Sequence, residues 1–316
     1  MKTFRARLAA MDDISEFDAM KIWKGFFFCM WMSDKPHVQQ ELARTLAASI
    51  HMFKPAVALQ YYNAFLQTMA REYISIDRHR SDKFLSLIRR CVEAAFIYCR
   101  SRRWDINMIN SFGEIHKKLF NDGAGLARPV VLFVAEIYIQ SWAKSYSQDI
   151  FFRQLTEEEE KSKAEDEENH IFIDMDNNDV EAAIAEASKI DVSAMSWESF
   201  RGLFEPLLTL LRFSRDGALC AVIRNYINGA IVGVLRRLAE HVNAASADED
   251  DEDEDADSEA PAPEDTDALA STLIEVIHDF LPYLQKYAET ATNTTLGMRT
   301  MVTMFHAQLD ETAKIL

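Results

Sequence analysis

The chain has 316 residues, 48% hydrophobic and 27% charged, with a formal net charge of −17. That supplies enough apolar surface for a sizeable core and excludes wholesale disorder. Nine glycines and seven prolines suit long helices with few tight turns, and four cysteines (Cys29, Cys91, Cys99 and Cys220) without C-x-x-C spacing read as buried thiols in a reducing compartment.

The charge is uneven. Residues 1–150 hold 21 basic and 15 acidic side chains, a net of +6, and residues 151–316 hold 13 and 36, a net of −23. The first half can approach phosphate; the second repels it.

In chain order, the first strong signal is KIWKGFFFCMWMSDKP at 21–36. A membrane span needs about 20 mostly apolar residues, whereas Lys21, Lys24, Asp34 and Lys35 bracket this run closely. Acidic residues precede it (Asp12, Asp13, Glu16, Asp18), which is wrong for a signal peptide. It reads as a core helix of a soluble fold, Phe27 and Trp31 facing inward. Its surplus of aromatic residues is hard to bury in a terminal repeat, so part of it is expected at a partner interface.

Asp34 is the expected N-cap of the next helix, with Pro36 in its first turn. That helix carries Val38, Leu42, Leu46 and Ile50 on one face. Pro55 opens another, striped by Tyr61, Tyr62, Phe65, Met69 and Tyr73. Ser81 or Asp82 caps a third, with Phe84, Ile88, Cys91, Ala95 and Tyr98 inward and Arg89, Glu93 and Arg100 opposite. Further helices fit 106–120, 129–146, 196–213, 216–243, 268–290 and 296–315. In 218–238, Gly229 and Gly233 stand in G-x-x-x-G spacing, but Arg224, Arg236 and Arg237 make close packing of soluble helices the better reading. HIFIDMD (170–176) is the one strand-like piece and reads as ordered linker or an edge contact.

Two acidic tracts interrupt the helices. Residues 156–168 extend a helix or stay solvated. Residues 245–267 hold thirteen acids, two prolines and no base, and are expected to form a disordered loop. Such a loop either is inert, or steers phosphates toward the basic half, or shields basic proteins.

The expected fold is all-α: an irregular helical-repeat stack of the HEAT or armadillo kind with disordered acidic insertions. A single irregular all-α domain competes with it. The expected divisions are a net-basic helical region at 1–155, an acidic linker at 156–195 and a helical region at 196–316.

No catalytic, cofactor or metal constellation is expected. Gly123 and Gly125 in NDGAGLAR follow a helix and read as a C-cap and turn. The eight histidines are scattered. The informative charges lie in residues 71–103, nine basic against four acidic. Asp77, Asp82 and Lys83 sit at a helix junction and are read first as ion-pair partners between repeats. Arg71, Arg78, Arg80, Arg89, Arg90, Arg102 and Arg103 are candidate contacts for RNA phosphates or an acidic partner.

IWKGFFFCMWMSDKP, followed by VQQELA at 38–43 and by REYISIDRHRSDKFLSLIRR at 71–90, resembles the eukaryotic nucleolar ribosomal-RNA-processing protein one family. Trp23, Lys24, Gly25, Cys29, Met30, Trp31, Ser33, Asp34, Lys35 and Pro36 match its first block. Arg71, Glu72, Tyr73, Ile76, Asp77, Arg78, Arg80, Asp82, Lys83 and Phe84 match the second, with Tyr73 where the pattern has Trp. Residues 125–142 and 204–211 match later helices more weakly, and the likeness runs to about residue 240. The sequence reaches Leu316 without the long basic tail of many members and without a clear import signal.

The resemblance implies a helical scaffold in early large-ribosomal-subunit precursors, nucleolar, without enzyme activity or cofactor, and needed for pre-rRNA processing. Its expected partners are pre-ribosomal assembly factors, large-subunit ribosomal proteins and pre-rRNA. Lys24, Asp34 and Lys35 join the candidate contacts, because packing alone does not require them. The alternative is an adaptor or chaperone that carries basic cargo, such as ribosomal proteins or histones, on its acidic half.

Overall fold

A computed structural model describes residues 2–122, 128–146 and 195–213, and residues 217, 220, 221, 225, 279, 282, 283 and 286 singly. The NDGAGLAR glycines, HIFIDMD, both acidic tracts and the helices expected beyond 213 lie outside the described residues, save those single positions. Among the described residues 86% are helical and none is in a strand, so the all-α expectation holds.

The helices are α1 (Lys2–Ala9), α2 (Glu16–Met32), α3 (Pro36–Ala48), α4 (Pro55–Glu72), α5 (Ser81–Ser101), α6 (Ile106–Asp122), α7 (Arg128–Tyr146) and α8 (Trp197–Phe213). Short 3₁₀ turns at Ser49–Met52 and Tyr73–Ser75 tighten the ends of α3 and α4. The chain forms two compact units. One holds Met1–Arg102 and Lys118–Asp191, and the other Arg103–Lys117 and Val192–Leu316.

In the first unit, α2 packs against α4, α3 against α5, and α5 against α7. Alternate helices thus line up in two layers, joined by the consecutive pairs α2–α3 and α4–α5. That is the arrangement of a helical-repeat stack. Ser15 starts α2 by accepting the Asp18 N–H at 3.1 Å, with Glu16 and Asp18 in the first turn. The N-cap of α3 is Lys35, not Asp34. Pro36 occupies the first helical position and holds the residue before it extended, which fixes the cap one place later. The N-cap of α5 is Arg80, not Ser81 or Asp82. Asp77 directs that turn by accepting the N–H groups of His79 and Arg80 at 3.0 and 3.1 Å.

The apolar stripes face inward as the spacing requires. Trp23 is fully buried, its ring 4.8 Å from that of Tyr61 and 4.7 Å from that of Phe65, and its indole N–H donates to the Tyr61 carbonyl at 2.7 Å. The Tyr61 hydroxyl in turn donates to the Leu46 carbonyl of α3 at 3.0 Å, and Tyr98 donates to the Phe53 carbonyl at 2.7 Å. Burial pushes the pKa of Tyr61 up, so it remains a donor. Two expectations need correction. Arg100 is buried rather than on an outer face, because α5 is covered by both α3 and α7. Cys29 is exposed, since it lies on the side of α2 away from Trp23; the other three thiols are buried.

In the second unit α6 and α8 cross through glycines. A Cβ on Gly202 would stand 2.9 Å from Ile109 Cγ2 and 3.3 Å from Asn110 Oδ1, and one on Gly113 would stand 3.1 Å from the Gly202 carbonyl oxygen. Pro206, inside α8, has no N–H to offer that carbonyl. The carbonyl lies against the Gly113 backbone instead. Gly202→Val should therefore cost about 2–3 kcal/mol through overpacking, read as a lowered urea midpoint. The entry to α6 is fixed nearby: Arg103 and Trp104 adopt φ of 54°, a strained left-handed conformation, and Ser199 donates to the Trp104 carbonyl at 2.7 Å.

His116, fully buried in α6, has Nδ1 2.9 Å from the Phe112 carbonyl. Burial opposes its charged form and lowers its pKa from 6.5 to about 4, against the upward pull of that carbonyl. The unfolded chain takes up this proton near the ordinary pKa; the folded chain does so only near the lowered one. Stability should thus fall as pH drops through that window, by about 3 kcal/mol at its lower end. Urea midpoints across the window check this, and His116→Gln should reduce the slope.

Gly25 differs from Gly113 and Gly202. It sits mid-helix in α2, exposed, and a Cβ there would meet nothing within 4 Å. A glycine in a helix interior costs about 0.5–1 kcal/mol relative to alanine.

Candidate functional site

The two sequence blocks meet in space. The first ends α2 and forms the turn into α3; the second forms the turn from α4 into α5. The Lys83 amine, from the first turn of α5, donates to the carbonyls of Trp31 at 2.9 Å and Ser33 at 2.6 Å. These carbonyls terminate α2, where unpaired acceptors and the helix dipole favour a cation. Gln39 adds a donation to the Ser33 carbonyl at 2.8 Å, and Ser33 Oγ closes back on the Cys29 carbonyl at 2.8 Å. Beneath them Phe27 and Phe84 pack at 4.7 Å. Arg80 pairs with Asp77 and lies over the Trp31 ring at 5.0 Å.

Electrostatics follow from this packing. Lys83 is 9% exposed. Burial lowers its pKa from the ordinary lysine value, the Arg80 charge adds to the lowering, and Asp34 and Asp77 pull the other way. Asp77 is held below the ordinary carboxylate value mainly by its hydrogen bond to Arg80. Asp77, Arg80 and Lys83 thus serve the junction itself.

Around the junction stand the other candidates. Lys24 is exposed and lies 3.8 Å from Glu72. Asp34 and Lys35 are exposed in the α2–α3 turn, Arg71 is exposed in the last turn of α4, and Arg78 is exposed in the α4–α5 turn. The structure therefore gathers Lys24, Asp34, Lys35, Arg71, Arg78 and Arg80 at one end of the first unit. It does not bring the rest there. Arg89 lies over the Phe133 ring of α7 at 5.4 Å, and Arg90 is half-buried midway along α5. Arg102 lies over Tyr98 at 5.1 Å at the far end of α5, whose 21 residues span about 30 Å. Arg103 belongs to the second unit.

Sequence reasoning missed Glu72 as the partner of Lys24, and the reach of Lys83 across fifty residues to the end of α2. The second had only a weak signal: a lysine in the first turn of a helix is on the unfavourable side of its own dipole, which a neighbouring helix's C-terminus can offset. No helix among the described residues is long and apolar enough to cross a membrane. Nor, among those residues, do three His, Cys, Asp or Glu side chains stand close enough to share a metal ion.

The sequence matches the family model described as "Nucleolar protein, Nop52" over residues 1–273. It is similar to a ribosomal RNA processing protein 1 homolog of Drosophila melanogaster, 35% identical over 156 residues, which is 49% of this chain and 23% of the relative. The corresponding homolog A of Mus musculus is 38% identical over 129 residues, 40% of this chain and 26% of the relative. That of Homo sapiens is 39% identical over 99 residues, 31% of this chain and 22% of the relative. The matched stretches thus cover only about a quarter of each relative. With the family model spanning most of its length and both blocks built into one junction, this chain belongs to the Nop52 family of nucleolar proteins.

Proposed function

We propose that the chain is a non-catalytic ribosome-biogenesis factor: a helical scaffold of early nucleolar large-subunit precursors on which pre-rRNA processing depends. Family membership and the relatives' names support the nucleolar location and the link to rRNA processing. The observation that carries the scaffold reading is the Lys83 anchor. The blocks' interior polar groups close a helix junction, leaving Lys35, Arg71 and Arg78 in solvent at its rim. Exposed cations gathered at one end of a chain with a net charge of −17 suit phosphate or an acidic partner. Its partners in this reading are pre-ribosomal assembly factors, large-subunit ribosomal proteins and pre-rRNA.

Depletion of the protein tests this reading. Large-subunit rRNA precursors should accumulate, and the tagged protein should co-sediment with large-subunit precursor particles. A free pool bound to basic cargo, with rRNA processing intact, would favour the adaptor instead.

A further inference from the structure

We infer that the outward face of the Arg80 guanidinium is a stacking platform for an unpaired RNA base, with the adjoining phosphates held by the exposed cations at the same end of the first unit. This rests on the reading of the block junction as a contact surface and names the ligand there: single-stranded RNA rather than an acidic protein. Three observations carry it.

The first is how Arg80 is held. Its Nη1 pairs with the Asp77 carboxylate, and its guanidinium lies over the Trp31 ring at 5.0 Å. Asp77 is itself fixed by the N–H groups of His79 and Arg80 at 3.0 and 3.1 Å. Trp31 packs on Phe27 and Phe84 at 5.9 and 6.3 Å between ring centres. The guanidinium is thus preset by two anchored neighbours, so a ligand that uses it has little ordering left to do.

The second is what remains open. With an edge on Asp77 and a face on Trp31, the Arg80 side chain is still 40% exposed, which turns the opposite face to solvent. A carboxylate binds the N–H fork of a guanidinium, and here it would compete with Asp77. An unstacked base takes the flat face instead, as arginine planes do in RNA recognition. Such a base extends the Trp31–Arg80 stack and leaves the Asp77 pair intact.

The third is charge. Lys35, Arg71 and Arg78 are exposed at this end and have no ion-pair partner among the described residues, whereas Lys24 stands beside Glu72. The exposed acids there are Asp34 and Asp82. Three unpaired cations suit a strand that lays a few phosphates across them, but with two acids nearby the excess is too small to hold RNA by charge alone. A stacked base supplies the remainder and the preference for a single strand.

The test measures binding of a fluorescent oligouridine to the purified full chain by anisotropy across a salt series. Contacts are mapped with the same oligonucleotide carrying photoreactive thiouridine. Arg80→Lys keeps a charge beside Asp77 and removes the plane. It should weaken single-strand binding about tenfold at an unchanged salt slope, and leave binding of the same strand annealed to its complement as it was. Arg78→Glu should instead flatten the slope by about one. The crosslink in the parent chain should fall within Arg78–Lys83 or on Trp31, and it alone decides if Arg80→Lys lowers the thermal midpoint. Parental single-strand affinity in a folded Arg80→Lys, an equal loss on the duplex, or a crosslink elsewhere would overturn the inference. So would displacement of the oligouridine by oligoglutamate at equal charge, since the site would then read charge only. A parent chain that binds no single strand would overturn it as well, while co-sedimentation with precursor particles would still support the scaffold. The converse, stacking intact and rRNA processing unaffected by depletion, would remove the scaffold reading and keep the platform.

Discussion

Trp23→Ala is expected to lower the stability of the first unit by about 4–5 kcal/mol. The indole is fully buried and packs on the rings of Tyr61 and Phe65, so truncation opens a large cavity in a place where two layers meet; aromatic-to-alanine changes in cores cost about 3–5 kcal/mol. The hydrogen bond from the indole to the Tyr61 carbonyl disappears as well. Tyr61 itself holds the Leu46 carbonyl of α3, so the effect reaches both layers. Since whole domains are stable by only about 5–15 kcal/mol, this single change should bring the unit near its unfolding threshold. Urea unfolding followed by far-UV circular dichroism measures it. Trp23→Phe, which keeps an aromatic ring but no donor, should lose less than half as much.

Lys83→Met is the second large expected effect, about 3 kcal/mol. The substitution keeps the length and apolar stem of the buried side chain, so its packing is largely retained. What disappears is a cation on two carbonyls at the end of α2. Hydrogen bonds to charged groups are worth about 1.5–3 kcal/mol each, part of which water recovers at a partly open turn. Lys83→Arg should not restore the wild-type midpoint, because a planar guanidinium cannot place a point charge between two carbonyls in that space. If Lys83→Met unfolds at the wild-type urea midpoint, the lysine is not what closes the junction.

The helical class and inward faces were legible because burial imposes the helical repeat on the sequence directly. Phe84, Ile88, Cys91, Ala95 and Tyr98 are all buried, at the spacing that singled them out. Caps were legible only by residue type. Asp34 lost its role to Lys35 because the proline, not the side-chain oxygen, sets where α3 begins. The pairing of α2 with α4 and of α3 with α5 was not legible, since nothing local tells a helix which neighbour lies in its own layer. For the same reason the basic residues read as one set fall at three separate places. Arg78 and Arg102 are close in sequence terms yet stand at opposite ends of α5. Gly25 stood out only as part of a motif. That it has open space around it is a property of the packed structure.

The most direct test of the scaffold role is gradient sedimentation of the triple variant Lys35→Glu, Arg71→Glu, Arg78→Glu beside the parent chain. All three side chains are exposed at the block junction, so the far-UV spectrum and thermal midpoint should be unchanged. The parent should migrate with large-subunit precursors and the variant should shift to the top of the gradient. The salt dependence of RNA binding should flatten by roughly one unit of slope for each phosphate that the variant no longer neutralises. A folded triple variant that still migrates with the precursors would contradict the scaffold role of this junction.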